Sequence, residues 1–449
     1  MMTAIAAASL LYLAYVTFGP FWLTVGLVVM SACIVPRNIL GASQADYGHA
    51  GIAGANPRLT TYGLIFSVLV VAFVVFRVRS ELSGWTIVFA AFMSVGMVIW
   101  WNASSEQWAG FWQYALVPAG WIVGTALASA VDIHGRSGRT LAAWIAFFVS
   151  VQLFVSTAQF FGIPLFTPDA STAEIVGARV NGTLSHPTVL GKVVLLALVL
   201  ILPLTRSTNA TSRFLANVSI IGSLPIFVLA GGRVNLLAVG LLLLGWFILL
   251  PKNEANTIRN LIPATLILAF IGSIGMLKRR FQEDPFGENR IHFMGVALDQ
   301  IQRTPFAGTG PNAYVSTAGQ YDALTAEGWP VHNTVLLAIG ELGFFGAGLL
   351  FVPIVGVALL AWRLRNKPGI GGSYAKAYVA LIPGMFLIAM TGWGLLSGEV
   401  LPLWFLVTGC VSATLRGSAF FVDTTFTGSD HPGARDVPRP KATPASVVM

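Results

Sequence analysis

Charge is scarce in this chain: Asp, Glu, Lys and Arg make up 10% of 449 residues, against about 25% in soluble domains. No hydrophilic stretch is large enough for a separate soluble domain. Cysteine is almost absent. Cys33 and Cys410 lie in apolar runs towards opposite ends of the chain, a spacing that suggests neither a disulfide nor a metal site. They are expected to be small buried apolar residues. No His, Cys and Asp cluster has metal-ligand spacing, and no DxD-type carboxylate pair stands in a loop. A reaction without metal or cofactor is the simpler expectation. The turn Gly308-Thr309-Gly310-Pro311 lacks the Lys-Ser/Thr of a nucleotide-binding loop and the strand before it. No internal repeat is detectable. The apolar stretch Met1 to Pro36 has no basic residue ahead of it, so it reads as a retained anchor and not as a cleaved signal.

What the chain has in abundance is apolar length. Hydrophobic residues make up 55% of the sequence, and runs of spanning length recur from end to end. A span needs about 20 such residues. Runs fall near 59–77, 85–101, 108–131, 141–162, 187–205, 214–231, 234–251, 260–277, 332–362, 375–394 and 399–415. The first run, 3–35, is long for one helix and short for two, and Gly19-Pro20 could fold it into a hairpin. The expected fold is all-α, a polytopic membrane bundle over 1–416 with about 12 spans, or 13. A disordered tail, 417–449, should follow. A β-barrel would show short alternating segments instead.

The net charge of +8 does not point to nucleic acid, because the basic residues sit in short loops between spans. The loops with Arg136 and Arg139, Arg206 and Arg213, Lys252 and Arg259, and Arg363, Arg365, Lys367 and Lys376 read as cytoplasmic. Segments 102–107, 163–186, 231–233, 278–331 and 395–398 then lie outside. Within the longest of these, Ile291, Met294, Leu298 and Ile301 form one apolar face at helical spacing. Such a helix would lie along the membrane surface.

Polar groups from distant parts of the chain should converge at that outer face. Arg233 stands in a Gly-Gly-Arg turn, Arg290 opens the surface helix, and His186 and His332 each precede a span. A guanidinium presents a planar fork to phosphate oxygens, and a neutral imidazole can take a proton from a hydroxyl. The set suits a lipid-linked pyrophosphate, whose tail lies in the bilayer and whose head lies at the surface. Each residue also has a plainer reading, as a snorkelling Arg or a capping His. Glu341 and Lys192 are ionisable residues inside apolar runs, and such residues are functional-site candidates. Lys192 could neutralise Glu341 across helices. Glu341 follows His332 by nine residues, which at about 100° per residue places the two on opposite faces of a regular helix. A direct His–Glu pair is therefore not expected. Asn181-Gly-Thr matches the N-glycosylation triplet, a weak signal.

These residues together resemble the O-antigen ligase and O-antigen polymerase superfamily of bacterial membrane glycosyltransferases. The resemblance rests on His332-Asn333 followed by Leu336 or Leu337, Glu341, Gly343 and Gly346. It rests also on Arg290 followed by Gly295, Asp299, Thr304-Pro305-Phe306 and Gly308-Thr309-Gly310. The run from Gly231-Gly232-Arg233 and the segment 181–191 add to it, so that it covers roughly 181–346. The departure is at Arg233, where the family often has Ser before and Gly after. The resemblance implies a GT-C-like bundle in the bacterial cytoplasmic membrane with its site facing the periplasm or cell exterior. It implies transfer of a glycan from undecaprenyl pyrophosphate to an acceptor sugar, with inversion and without metal. By position, Arg233 and Arg290 would bind the pyrophosphate and His332 would activate the acceptor hydroxyl. His186, Arg279, Arg280, Glu341 and Lys192 would have supporting roles. The expected partners are the lipid-linked donor, a lipid- or polymer-anchored acceptor and membrane lipids. The long loop before His332 favours a ligase over a polymerase of lipid-linked units. A transporter of lipid-linked oligosaccharides is the alternative from another class.

Overall fold

The structure is a computed structural model. It describes residues 38–40, 59–75, 104–166, 179–251 and 289–426, with a few isolated positions between. The architecture is helical, with one short antiparallel ribbon among the described residues, β1 (Asn38–Leu40) against β2 (Leu59–Thr60). The helices are α1 (Thr61–Val75), α2 (Ser105–Ala130), α3 (Arg136–Phe160), α4 (Pro187–Ile201), α5 (Ala210–Leu229) and α6 (Arg233–Leu249). There follow α7 (Arg290–Arg303), the short α8 (Tyr314–Ala318) and α9 (Ala323–Ala326), α10 (Thr334–Leu364), α11 (Gly369–Thr391) and α12 (Val400–Phe426).

Six segments among the described residues are long and apolar enough to cross a membrane: α3, α4 with its 3-10 extension to Arg206, α5, α10, α11 and α12 to Gly417. The sequence reading counted about twelve. Of the others, α2 is long but less apolar, α6 has 17 residues and α1 has 15. The runs at 3–35, 85–101 and 260–277 lie largely or wholly outside the described residues. The last helix runs on to Phe426, past the point where the tail was expected to begin, and 427–449 are outside the described residues.

Local chemistry sets the helix starts. Ser104 and Gln107 cap α2 reciprocally. Asn209 caps α5, and Asn333 caps α10 by accepting from Val335 N at 2.9 Å and Leu336 N at 3.0 Å. His186 caps α4, with Pro187 at the first helical position. The core centres on α4, which is buried along almost its whole length. Around it α2 packs on α12, α11 on α6 and α10, and α3 on α5. At Gly120 and Gly124 a Cβ would collide with the Pro402 and Leu406 carbonyls of α12, so these glycines permit the close approach of α2.

Successive helices run antiparallel, which sorts the loops onto two ends. At one end Ser207 Oγ donates to the Ile133 carbonyl at 2.6 Å, and Arg206 donates to Ser373 Oγ at 3.0 Å. This end carries the loops with Arg136, Arg139, Arg206, Arg213, Arg363, Arg365 and Lys367. At the other end Gln159 Nε2 donates to Gly182 O at 2.8 Å, Asn235 Nδ2 to Thr188 O at 3.1 Å, and Thr334 Oγ1 to Gly392 O at 2.6 Å. His186, Arg233, Arg290 and His332 all belong to this second end.

One helix departs from regularity. Gly343 in α10 has φ 67° and ψ 178°, so α10 is two helices joined at a break. From sequence the run 332–362 reads as one continuous span, because hydropathy registers apolar length and not backbone angles.

Candidate functional site

Arg290 opens α7 and is exposed. Phe293, one turn on, is buried and stacks on the His332 ring with centroids 6.0 Å apart and planes inclined at 30°. The buried stripe of α7 is Phe293, Val296, Ala297, Gln300 and Ile301. The apolar face expected from sequence lies mostly on the outward side of the helix. Of the expected four residues only Ile301 is inside, while Ile291 is 86%, Met294 43% and Leu298 48% exposed. The helix has two apolar stripes. One binds the protein and the other is exposed, as are Phe306 and Phe345, whose rings are 5.9 Å apart.

The surroundings of His332 favour its neutral form. Burial lowers its pKa below the usual histidine value, and the nearby Arg290 charge lowers it further, against a smaller opposing effect of the Pro330 carbonyl. Its Nδ1 is buried and makes no hydrogen bond of ordinary geometry among the described residues. The exposed Arg290 guanidinium thus acts electrostatically on a half-buried imidazole whose burial favours the form that can accept a proton.

Asp322 anchors α7 from the far side of the loop. It bonds His292 Nε2 at 2.6 Å and caps α9 through Thr325 N at 2.8 Å and Thr325 Oγ1 at 2.7 Å. Burial would raise its pKa, but these bonds outweigh it and hold the carboxyl below the usual value. Tyr321 adds a hydrogen bond to Gln300 at 3.0 Å and receives the Arg303 guanidinium over its ring at 4.2 Å. Asp322→Ala is expected to cost about 1 kcal/mol through loss of the cap. Asp322→Asn keeps an acceptor for Thr325 and should lose less. Thermal unfolding in detergent measures both, and equal losses would show that the cap is not what matters.

A second polar group surrounds the start of α4. His186 Nδ1 accepts from Thr188 N at 3.1 Å and lies 2.8 Å from Thr188 Oγ1. Burial, then Arg179, then Lys192 push its pKa down to about 4. Lys192 is buried, and its Nζ donates to Thr188 O at 3.2 Å. Its counter-charge is Glu399, which also accepts a hydrogen bond from the Ser185 side chain. Asn235, on the first turn of α6 beside Arg233, donates to the same Thr188 carbonyl. The turn 392–399 links the two polar groups. Thr334 holds Gly392, Gln113 Nε2 donates to the Leu396 carbonyl, and Lys192 Nζ packs against Gly394.

The expected pairing of Lys192 with Glu341 is overturned. Glu341 is buried and accepts from Tyr114 Oη at 2.9 Å and from the Asn312 backbone N–H. Each ion therefore has its own partner, because α4 and α10 meet different neighbours. Glu341 also stays apart from His332, as the nine-residue spacing required. Asn181 is buried and donates to the Phe166 carbonyl at 3.0 Å and to that of Leu184, so the Asn-Gly-Thr triplet builds a turn and offers no free amide. Arg279 and Arg280 lie outside the described residues, as does Cys33, while Cys410 is buried.

Sequence reasoning missed Glu399, Tyr114 and Asn312. Glu399 had a visible signal, a single acid between two apolar runs. Tyr114 had none, since a tyrosine in an apolar helix gives no indication of a carboxylate 227 positions away. Among the described residues no three His, Cys, Asp or Glu side chains converge as metal ligands. Neither a family model nor a curated protein matches the sequence.

Proposed function

We propose that the chain is a membrane glycan ligase. It would transfer a glycan from an undecaprenyl-pyrophosphate-type donor to an acceptor sugar hydroxyl on the outer side of the bacterial cytoplasmic membrane. The observation that carries this reading is α7 held against His332 by the Phe293 stack, with the Arg290 charge felt at an imidazole whose burial favours its neutral form, at the end of the bundle opposite the short basic loops. The positive-inside rule makes the basic end cytoplasmic. His332 accepts the acceptor O–H proton as that oxygen bonds the donor's anomeric carbon. The bond from that carbon to the pyrophosphate oxygen breaks, and the electron pair leaves with pyrophosphate. Attack from the far side inverts the centre. Arg290 meets the leaving charge with preformed donors, and Arg233, at the start of α6 on the same end of the bundle, would add a second guanidinium if the pyrophosphate spans both. The exposed stripe of α7 and Phe306 face lipid, where a polyprenyl tail and an anchored acceptor both reside.

The proton-accepting role fixes a pH signature. A histidine with a lowered pKa stays unprotonated above its ordinary value of 6.5. The acid limb of kcat/KM should then fall below pH 6.5, with no loss between 6.5 and 8. An acid limb that remains unchanged when His332 is replaced would remove the imidazole from the reaction.

One observation favours a second reading. Broken helices with polar groups at the break are expected of transporters, and α10 has such a break beside Glu341. Purified protein separates the two when bond formation is assayed in detergent and movement of donor in reconstituted vesicles. Formation of a glycosidic bond from lipid-linked donor supports the ligase. A protein that moves donor across vesicles and never forms that bond is a transporter. A product of joined lipid-linked units indicates a polymerase.

A further inference from the structure

The break in α10 leaves backbone groups without helical partners, about 14 Å along the helix from Thr334 at 1.5 Å per residue. Non-helical backbone inside a bilayer is tolerated only where protein satisfies it. Here the 305–310 turn does so. In an unbroken helix the Gly340 carbonyl would accept from Phe344 N. It accepts instead from Thr309 N at 2.8 Å, and Phe344 N donates to the Pro305 carbonyl at 2.8 Å. The Glu341 carbonyl likewise accepts from Gly310 N at 2.8 Å. Gly343 and Gly308 face each other across this joint with φ 67° and 68°. A Cβ on Gly343 would strike the Phe306 carbonyl, and one on Gly308 the Glu341 carbonyl.

The Glu341 side chain closes the joint from within. It takes Tyr114 Oη from α2 and the Asn312 N–H from the end of the turn. Asn312 itself has φ 64°, and its side chain donates to Glu106 O at 3.2 Å and accepts from Ala53 N at 2.7 Å. Gln107 Nε2 adds a bond to Thr309 O at 3.2 Å. The turn continues directly from α7, which carries Arg290 and Phe293, and α10 begins just after His332.

We infer that Glu341 is a positioning residue: by seating the 305–312 turn in the break of α10 and against α2, it fixes α7, and hence Arg290, relative to His332. The functional part of this inference rests on the roles proposed above for Arg290 and His332. The mechanical part does not.

Spin labels test the mechanical part. One label goes on exposed Leu298 of α7 and one on exposed Phe386 of α11, with Cys33 and Cys410 replaced by alanine. Electron–electron distances are read in detergent. The parent should give a narrow distribution, and Glu341→Leu and Gly308→Ala a broad one. Glu341→Gln should stay narrow. Its carbonyl can accept from Asn312 N–H, and its amide can donate to a Tyr114 hydroxyl that turns round. Transfer assays on the unlabelled variants should show kcat reduced about 100-fold in Glu341→Leu, as for a misplacement near 1 Å, and near normal in Glu341→Gln. Should Glu341→Leu fail to fold, Tyr114→Phe and Gly308→Ala carry the same test. A distribution that stays narrow in these variants overturns the inference, whatever happens to activity. Broad distributions together with full transfer by Arg290→Ala and His332→Ala would uphold the positioning and remove the proposed chemistry.

Discussion

Arg290→Ala is expected to reduce glycan transfer by a factor of about 100 to 1,000 while leaving membrane insertion intact, the usual loss when one preformed donor to a developing negative charge is removed. The residue is exposed at the first position of α7, so its removal creates no cavity and leaves no buried partner stranded. A loss of that size would therefore belong to the reaction and not to folding. Lysine at this position keeps the charge but not the planar fork, and Arg290→Lys should recover only part of the rate. His332→Ala is expected to cost about 100-fold or more through loss of the proton acceptor. If the two residues act in one step, the double variant should be little worse than the more damaged single one. Arg233→Ala should also lose transfer if its guanidinium reaches the same pyrophosphate. The measurement is transfer from lipid-linked donor by purified protein in detergent. Wild-type rates for Arg290→Ala would end the ligase proposal, since Arg290 is the cation whose charge reaches His332.

The two-ended arrangement was legible because Lys and Arg placement and apolar length are properties of single segments. The loops with Arg136, Arg206 and Arg363 fall at one end as the alternation required. Asn333 could be read as part of a motif, and the structure gives its physical role as the cap of α10. What remained hidden depends on pairs of segments. Phe293 and Val296 differ from Met294 and Leu298 only in which stripe finds a protein neighbour. The break at Gly343 is invisible to hydropathy, because its freed carbonyls are satisfied by a turn that precedes it by more than thirty positions. Lys192 and Glu341 were each legible as costly, but their partners were not. The choice between Glu399 and Tyr114 is made by helix packing, and helix packing follows from Gly120 and Gly124 against α12 as much as from any charge.

The other large effect concerns stability. Replacing Glu399 by leucine is expected to destabilise the bundle by about 2 kcal/mol, because it removes the opposite charge that acts on the buried Lys192 ammonium and leaves that ammonium under-compensated. Lys192 is the member that suffers, being 5% exposed in the middle of a helix buried almost throughout, with Thr188 O as its remaining acceptor. Glu399 keeps part of its surface open and retains Ser185, so Lys192→Met should cost less than Glu399→Leu. The double variant Lys192→Met with Glu399→Leu should recover most of the loss, because two apolar side chains leave no ion to strand. Burial raises the Glu399 pKa to about 6, against the pull of Ser185 and Lys192. With the ordinary value at 4.5, the folded protein binds the extra proton between these limits. This group's contribution to stability therefore declines as pH rises from 4.5 to 6, and is constant on either side. Glu399→Gln should lack that slope. Unfolding midpoints in detergent across this range read the slope and the coupling together. Equal losses from either single change, with no recovery in the double variant, would mean that packing at the 392–399 turn, and not the charge pair, holds α4 against α12.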